Sequence, residues 1–167
     1  TAREETTFDR TLVDALPNLK LLVFHGARNA ALDMAALEER QVTVCGTGYG
    51  FTNGTVELAW GLILGLVKHL PQEDAAIRSG GWGAGLPRGL TGKTLGLLGL
   101  GTLGSGVARV GIALDMEVMA WSQNLTQARC EEIGAQLVTK NELFRNSDVL
   151  SIHLILSDRT RGLVGDA

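Results

Sequence analysis

Cysteine is scarce in this sequence: Cys45 and Cys130 are the only two in 167 residues, and they lie far apart. Two distant thiols make neither a disulfide framework nor a metal-ligand spacing. Both are expected to be buried and inert, in a reducing cytosol. Histidine is equally sparse. His25, His69 and His153 are scattered, with no His-x-x-x-His pair, so no metal site is expected. Basic residues form no block: 15 lysines and arginines stand against 18 aspartates and glutamates, for a net charge of -3. That balance argues against a nucleic-acid partner. The longest apolar run, Leu58 to Val67, falls short of the ~20 residues a bilayer span requires. The N-terminus is polar and charged, unlike a secretory signal. These absences leave a cytoplasmic globular protein without a membrane partner as the expectation. With 45% hydrophobic and 20% charged residues, the chain has enough apolar content to bury the core of one domain, or of pieces of two.

What is abundant is glycine, 22 residues concentrated in the middle of the chain. Before that region the pattern is strand and helix in alternation. Phe8, Leu12 and Leu16 have helical spacing, closed by Pro17. Lys20–Phe24 reads as a buried strand ended by His25 and Gly26. Asp33 caps a helix over Met34–Arg40, and Val42–Cys45 is a second strand running into the glycines of 46–50. Two strand–helix passages in succession predict parallel α/β construction, with strands buried on both faces. Residues 55–70 then form one long helix, apolar around most of its circumference, which is expected to be buried against other elements. Pro71 follows, then a polar helix over Gln72–Arg78, then a surface loop over residues 79–92 crowded with glycine. The division expected is 1–52, 53–92 for the linking helices and loop, and 93–167.

The informative motif opens the last part. Thr94–Leu98 is a strand that runs directly into Gly99-Leu-Gly101-Thr-Leu-Gly104. A helix over Leu103–Leu114 follows, with Val107, Val110, Gly111 and Leu114 on one side, and Glu117–Trp121 is the next strand. A Gly-x-Gly-x-x-Gly match is weak by itself, and this βαβ setting makes it strong. The first glycine turns the chain off the strand, the second admits a pyrophosphate close to the backbone, and the third lets the helix pack on the sheet. The helix N-terminus supplies free N–H groups and partial positive charge. Methyltransferases also place a glycine turn after the first strand, but without the third glycine opening the helix. Helix 127–134, strand 135–138, helical turn 140–145 and strand 148–154 continue a doubly wound sheet, and Ser157–Arg161 turns back.

Taken together, these motifs resemble the D-isomer-specific 2-hydroxyacid dehydrogenases. The match rests on Leu98–Gly104, on Gly81-Trp82 in the loop, and on Ser151-Ile-His153 with Thr160–Leu163 after it. Upstream, Gly26–Asn29 with Leu32-Asp33, Cys45–Thr47 and Thr55–Leu58 are similar too. The resemblance implies a partial Rossmann cofactor domain plus part of a flavodoxin-like substrate domain. It implies hydride transfer between NAD(P)H and a small 2-keto or 2-hydroxy acid, and a homodimer when the protein is intact. Gly99, Gly101, Thr102, Leu103, Gly104, Ser122, Gln123, Asn124, His153 and Leu154 are the implied cofactor-binding positions. Gly26, Ala27 and Arg28 are the implied substrate-carboxylate loop, acting through main chain. His25 and His153 invite an acid/base role, but a structural histidine at a strand end is the preferred reading of each. The alternative function is an NAD(P)-binding sensor or corepressor-like module without catalysis.

Two departures from the family follow. Its catalytic arginine, glutamate and histidine correspond to positions beyond Ala167, and its opening strand–helix repeats precede Thr1. A central fragment without turnover of its own is therefore expected. The second departure is at the end of strand 117–121. Members that use NAD carry an acidic residue about eighteen positions after the third glycine, and here that position is Ser122, followed by Gln123 and Asn124. Asp115 and Glu117 come too early to substitute. NADP(H), or use of both cofactors, is expected over strict use of NAD, with Arg145, Arg159 and Arg161 as candidate cations.

Overall fold

The computed structural model describes residues 6–48, 53–83 and 85–165. The chain forms two compact units, Thr1–Phe51 and Thr52–Ala167. Tyr49, Gly50 and Ala84, which belong to the expected glycine-rich segments, lie outside the described residues.

In the first unit, helix α1 (Arg10–Asp14) and strand β1 (Leu21–Phe24) are followed by helix α2 (Met34–Glu39) and strand β2 (Thr43–Gly46). Helix α1 starts later than its apolar spacing suggests. The Asp9 carboxylate accepts the Leu12 N–H at 2.9 Å, capping the helix there, and Phe8 instead bridges to Leu32. Asp33 caps α2 in the same way through the Ala36 N–H. Strands β1 and β2 pair in parallel, Leu21 opposite Thr43 through Phe24 opposite Gly46. The helices cover one face of this small sheet, where Val13, Leu22, Phe24, Ala36, Leu37 and Val42 are buried. The expectation of strands buried on both faces fails here: Leu21, Thr43 and Cys45 are exposed. Cys45 is therefore not the buried thiol expected from the sequence, whereas Cys130 is.

The second unit begins with helix α3 (Asn53–Val67) and helix α4 (Leu70–Arg78). His69, left-handed at φ 55°, separates them, and Pro71 falls in the first turn of α4, where its missing N–H costs nothing. Helix α3 is not enclosed as its composition suggested. Trp60 and Ile63 are buried, while Leu58, Leu62 and Leu66 are 64%, 66% and 75% exposed. One stripe packs on the unit, and the other apolar stripe faces outward.

The remaining elements are strand β3 (Thr94–Leu98), helix α5 (Thr102–Ala113), strand β4 (Glu117–Trp121), helix α6 (Gln127–Ile133), strand β5 (Gln136–Leu137), helix α7 (Lys140–Asn146) and strand β6 (Val149–Ile152). The four strands form one parallel sheet in the order β5-β4-β3-β6. The chain winds outward through β4 and β5, then returns to the other side of β3. Leu95, Leu97, Val107, Val118 and Ala120 lie in one apolar cluster with Trp60 and Ile63. Leu98, Met119 and Leu143 form another. Helices thus cover both faces. On α5 the buried stripe is Gly104, Ser105, Val107, Ala108 and Gly111. Val110 and Leu114, expected on it, are partly exposed, because close packing on the sheet selects the glycine-bearing face. A methyl group on Gly111 would stand 2.7 Å from the Leu95 side chain. Among the described residues no helix is long and apolar enough to cross a membrane.

Candidate functional site

The strand order reverses between β3 and β6, and in such sheets ligands bind beyond the carboxyl ends of the strands at that point. The glycine motif lies there. Gly99, directly after β3, has φ 100°, a conformation closed to ordinary side chains. Its N–H donates to the Trp121 carbonyl at 2.9 Å, tying the turn to the end of β4. Gly104 lies in the first turn of α5, and a methyl group there would overlap the Gly99 carbonyl oxygen. Gly101 is the N-cap of α5 and has no side chain to satisfy the first N–H groups. A methyl group on it would meet nothing within 4 Å. Among the described residues no acceptor meets the Thr102 and Leu103 N–H groups, and the space before Gly101 is open. Thr102 and Leu103 occupy the same first turn.

The turn is braced from behind. The buried Ser105 hydroxyl donates to the Leu100 carbonyl at 3.1 Å and accepts from the Arg129 guanidinium of α6 at 2.9 Å. Across the cleft, the His153 N–H donates to the Leu98 carbonyl at 2.8 Å. It is the main chain of His153 that lies beside Gly99; its imidazole turns away, with Nε2 2.9 Å from the Ser151 hydroxyl. Burial pushes the His153 pKa below the ordinary imidazole value, favouring the neutral ring.

Ser122, Gln123 and Asn124 follow β4 and line a cavity of about 160 Å³ together with Trp121 and Leu154. Its far wall is the turn after β6, through Arg159, Thr160 and Leu163. Among the described residues no carboxylate lines this cavity. The structure thus gathers the ten expected cofactor positions at the carboxyl ends of β3, β4 and β6. Thr160 and Leu163 were not among those positions, since a strand register must be known before the turn after β6 can be laid opposite the end of β4.

Gly26, Ala27 and Arg28 lie in the first unit, on the turn after β1. Gly26 has φ 100° and its N–H donates to the Thr47 hydroxyl at 3.0 Å, while its carbonyl accepts the Gly48 N–H. The tight strand-to-helix turn expected there is not formed: the chain bends sharply at Gly26, but the nine residues 25–33 separate β1 from α2. His25 is on the same turn. Among the described residues no group of histidine, cysteine and carboxylate side chains could hold a metal ion.

Residues 60–167 match the family model described as D-isomer specific 2-hydroxyacid dehydrogenase, NAD binding domain. A D-3-phosphoglycerate dehydrogenase of Archaeoglobus fulgidus is 34% identical over 165 residues, covering 98% of this chain and 31% of that protein. A phosphoglycerate oxidoreductase of Vibrio cholerae O395 superposes with a TM-score of 0.85 at 38% identity, covering 97% of this chain and 53% of that one. For a glyoxylate reductase of Paecilomyes thermophila the values are 0.76 and 32%, with 94% and 48% covered. The chain therefore spans about half the length of these solved relatives, and less of the archaeal one.

Proposed function

Because the chain belongs to the D-isomer specific 2-hydroxyacid dehydrogenase family, we propose that it binds a nicotinamide dinucleotide in the β3–β6 cleft, for hydride exchange with a small 2-keto or 2-hydroxy acid. The observation that carries this reading is the glycine turn: uncapped N–H groups of α5, and open space before Gly101, beside the switch point of a parallel sheet. The pyrophosphate is held by main-chain N–H groups of the first turn of α5, where the helix dipole also favours negative charge. The adenosine ribose lies at the end of β4, against Ser122, Gln123 and Asn124. When bound, the dinucleotide supplies the hydride donor or acceptor, and the protein supplies orientation and electrostatics.

The substrate carboxylate is received by main chain on the Gly26–Arg28 turn. The first unit is thus read as the substrate side, flavodoxin-like in kind, and the second as the cofactor side. With no acidic residue at position 122, the ribose pocket does not repel a 2′-phosphate, so NADP(H) is used at least as well as NAD(H). The exposed leucines of α3 are read as the face of a two-fold dimer.

The test is titration of the purified chain with NADH and NADPH, followed by cofactor fluorescence and calorimetry. Glyoxylate, pyruvate, hydroxypyruvate and the phosphorylated 2-keto acid related to 3-phosphoglycerate are then screened for a shift in cofactor affinity. Saturable binding of a reduced dinucleotide that Gly101→Ala weakens supports the reading. Absence of binding by both dinucleotides overturns it.

A further inference from the structure

Three arginines near the end of the chain could bring positive charge to the ribose pocket, and the fold separates them. Arg145 lies in the last turn of α7, and neither it nor Arg161 lines the cavity beside Ser122. Arg159 does. We infer that Arg159 is the specificity-determining cation of this site: its guanidinium pairs with the 2′-phosphate of NADP(H) held against Ser122, Gln123 and Asn124. The inference rests on the reading of the cleft as a dinucleotide site, and adds the group that chooses between the two dinucleotides.

The position of Arg159 is built rather than incidental. Its turn is closed on both sides by Thr160, whose hydroxyl donates to the Ile155 carbonyl at 2.7 Å and accepts the Ser157 N–H at 2.8 Å. The N–H groups of Thr160 and Arg161 both donate to the Ser157 carbonyl, at 3.0 and 2.8 Å. The backbone carrying Arg159 is thereby fixed within its own turn, which lines the cavity opposite the end of β4. Its guanidinium makes no hydrogen bond or ion pair with the described residues, which leave its five donors unused. The opposite wall offers a hydroxyl and two side-chain amides, all neutral donors, and among the described residues no carboxylate lines the cavity to compete for the guanidinium. A phosphomonoester dianion satisfies that combination, with charge from one wall and neutral hydrogen bonds from the other. A bare ribose hydroxyl would take only the neutral half, leaving the cation without a counter-charge.

The chain as it stands is titrated with NADPH and NADH, wild type beside Arg159→Ala, Arg159→Lys and Ser122→Asp. Adenosine 2′,5′-bisphosphate, ADP and inorganic phosphate serve as competitors. Arg159→Ala is expected to weaken NADPH by about tenfold, which is about 1.4 kcal/mol, and to change NADH by less than about twofold. Arg159→Lys retains part of the preference, because it keeps the charge and loses the fork. The wild-type preference for NADPH shrinks with added salt, and the bisphosphate displaces NADPH better than ADP does. Equal losses for both dinucleotides in Arg159→Ala would make the residue a wall of the pocket and overturn the inference, leaving dinucleotide binding intact. A wild type that prefers NADH overturns it as well. Displacement by inorganic phosphate as effective as by the bisphosphate would mark a general anion site and overturn it too. If neither dinucleotide binds, the cofactor reading falls with it. Because Arg159 is exposed, loss of fold is not expected in these variants, and circular dichroism of each checks that.

Discussion

Gly101 and Gly104, three positions apart, separate stability from binding. Gly101 has φ -76°, which any residue adopts, and a methyl group there meets no atom within 4 Å. Gly101→Ala should therefore leave the melting temperature within the scatter of surface substitutions, about 0.5 kcal/mol. It should weaken dinucleotide binding by about tenfold or more, since the methyl group occupies the space in front of the helix N-terminus. Gly104→Ala should do the opposite first: its methyl group overlaps the Gly99 carbonyl, an overpacking that costs about 1–3 kcal/mol. Thermal melts of the two variants beside cofactor titrations check the pair, and equal destabilisation by both would contradict it. At Ser122 the issue is charge. Ser122→Asp should lower NADPH affinity by about tenfold or more through like-charge repulsion and leave NADH equal or better. A titration in which the aspartate variant still favours NADPH would sink the argument from position 122.

At the scale of elements, two junctions carry testable consequences. Asp148, just before β6, accepts the Thr94 N–H at 2.9 Å and stands 3.4 Å from the Lys93 ammonium. It joins the starts of β3 and β6. The Thr94 N–H first, then Lys93, hold its pKa below the ordinary carboxylate value. Glu142, which completes the capping box with Thr139 at the start of α7, is lowered chiefly by the Thr139 hydroxyl. A depressed carboxylate pKa contributes stability that is fully present above the unfolded-state value and is lost as the pH falls through the folded-state value. Urea midpoints of the wild type should thus fall as the pH drops below about 4. Asp148→Asn, which keeps an acceptor for Thr94 without a titrating charge, should flatten that slope. An unchanged slope would show that the charge at 148 does not contribute. The other junction is the outward stripe of α3. If Leu58, Leu62 and Leu66 form the face of a two-fold dimer, light scattering should find a dimer at micromolar concentration, and Leu62→Glu should shift it to monomer without loss of helical signal. A monomeric wild type would contradict that assignment and leave the packing of Trp60 and Ile63 untouched.

For the whole molecule, the expected footprint of the ligand is local. Hydrogen exchange with saturating NADPH should show protection at 99–104, at 121–124 and across the turn at 157–163. A ligand at a hundred times its Kd should add about 2.7 kcal/mol to the stability of the unit that binds it. Protection confined to the first unit would be incompatible with the site described. The two units each bury their own core, so each has a scaffold of its own for its part of the proposed chemistry. The proposed dinucleotide binding and the proposed substrate recognition can therefore be addressed by separate mutations.

The course of the second unit was legible in the residues because periodicity and glycine placement are local signals. The run Thr94–Leu98, the three glycines after it and the strand at 117–121 determine a βαβ unit wherever they occur, and the absence of an acid at Ser122 is readable by counting. What the sequence could not decide was burial and opposition. An apolar helix and one packed on a single side have similar composition, so the exposed leucines of α3 appear only once its neighbours are in place. Val110 and Leu114 fit a helical stripe as well as Gly104 and Gly111 do, and the choice falls to the face that lets the backbone approach the sheet. Cys45 reads as a buried thiol until the small sheet shows one uncovered face. Likewise Arg145, Arg159 and Arg161 are equivalent along the chain. Only the parallel register of β3, β4 and β6 brings the turn bearing Arg159 against the end of β4, because side chains distant in sequence meet through the sheet that aligns their strands.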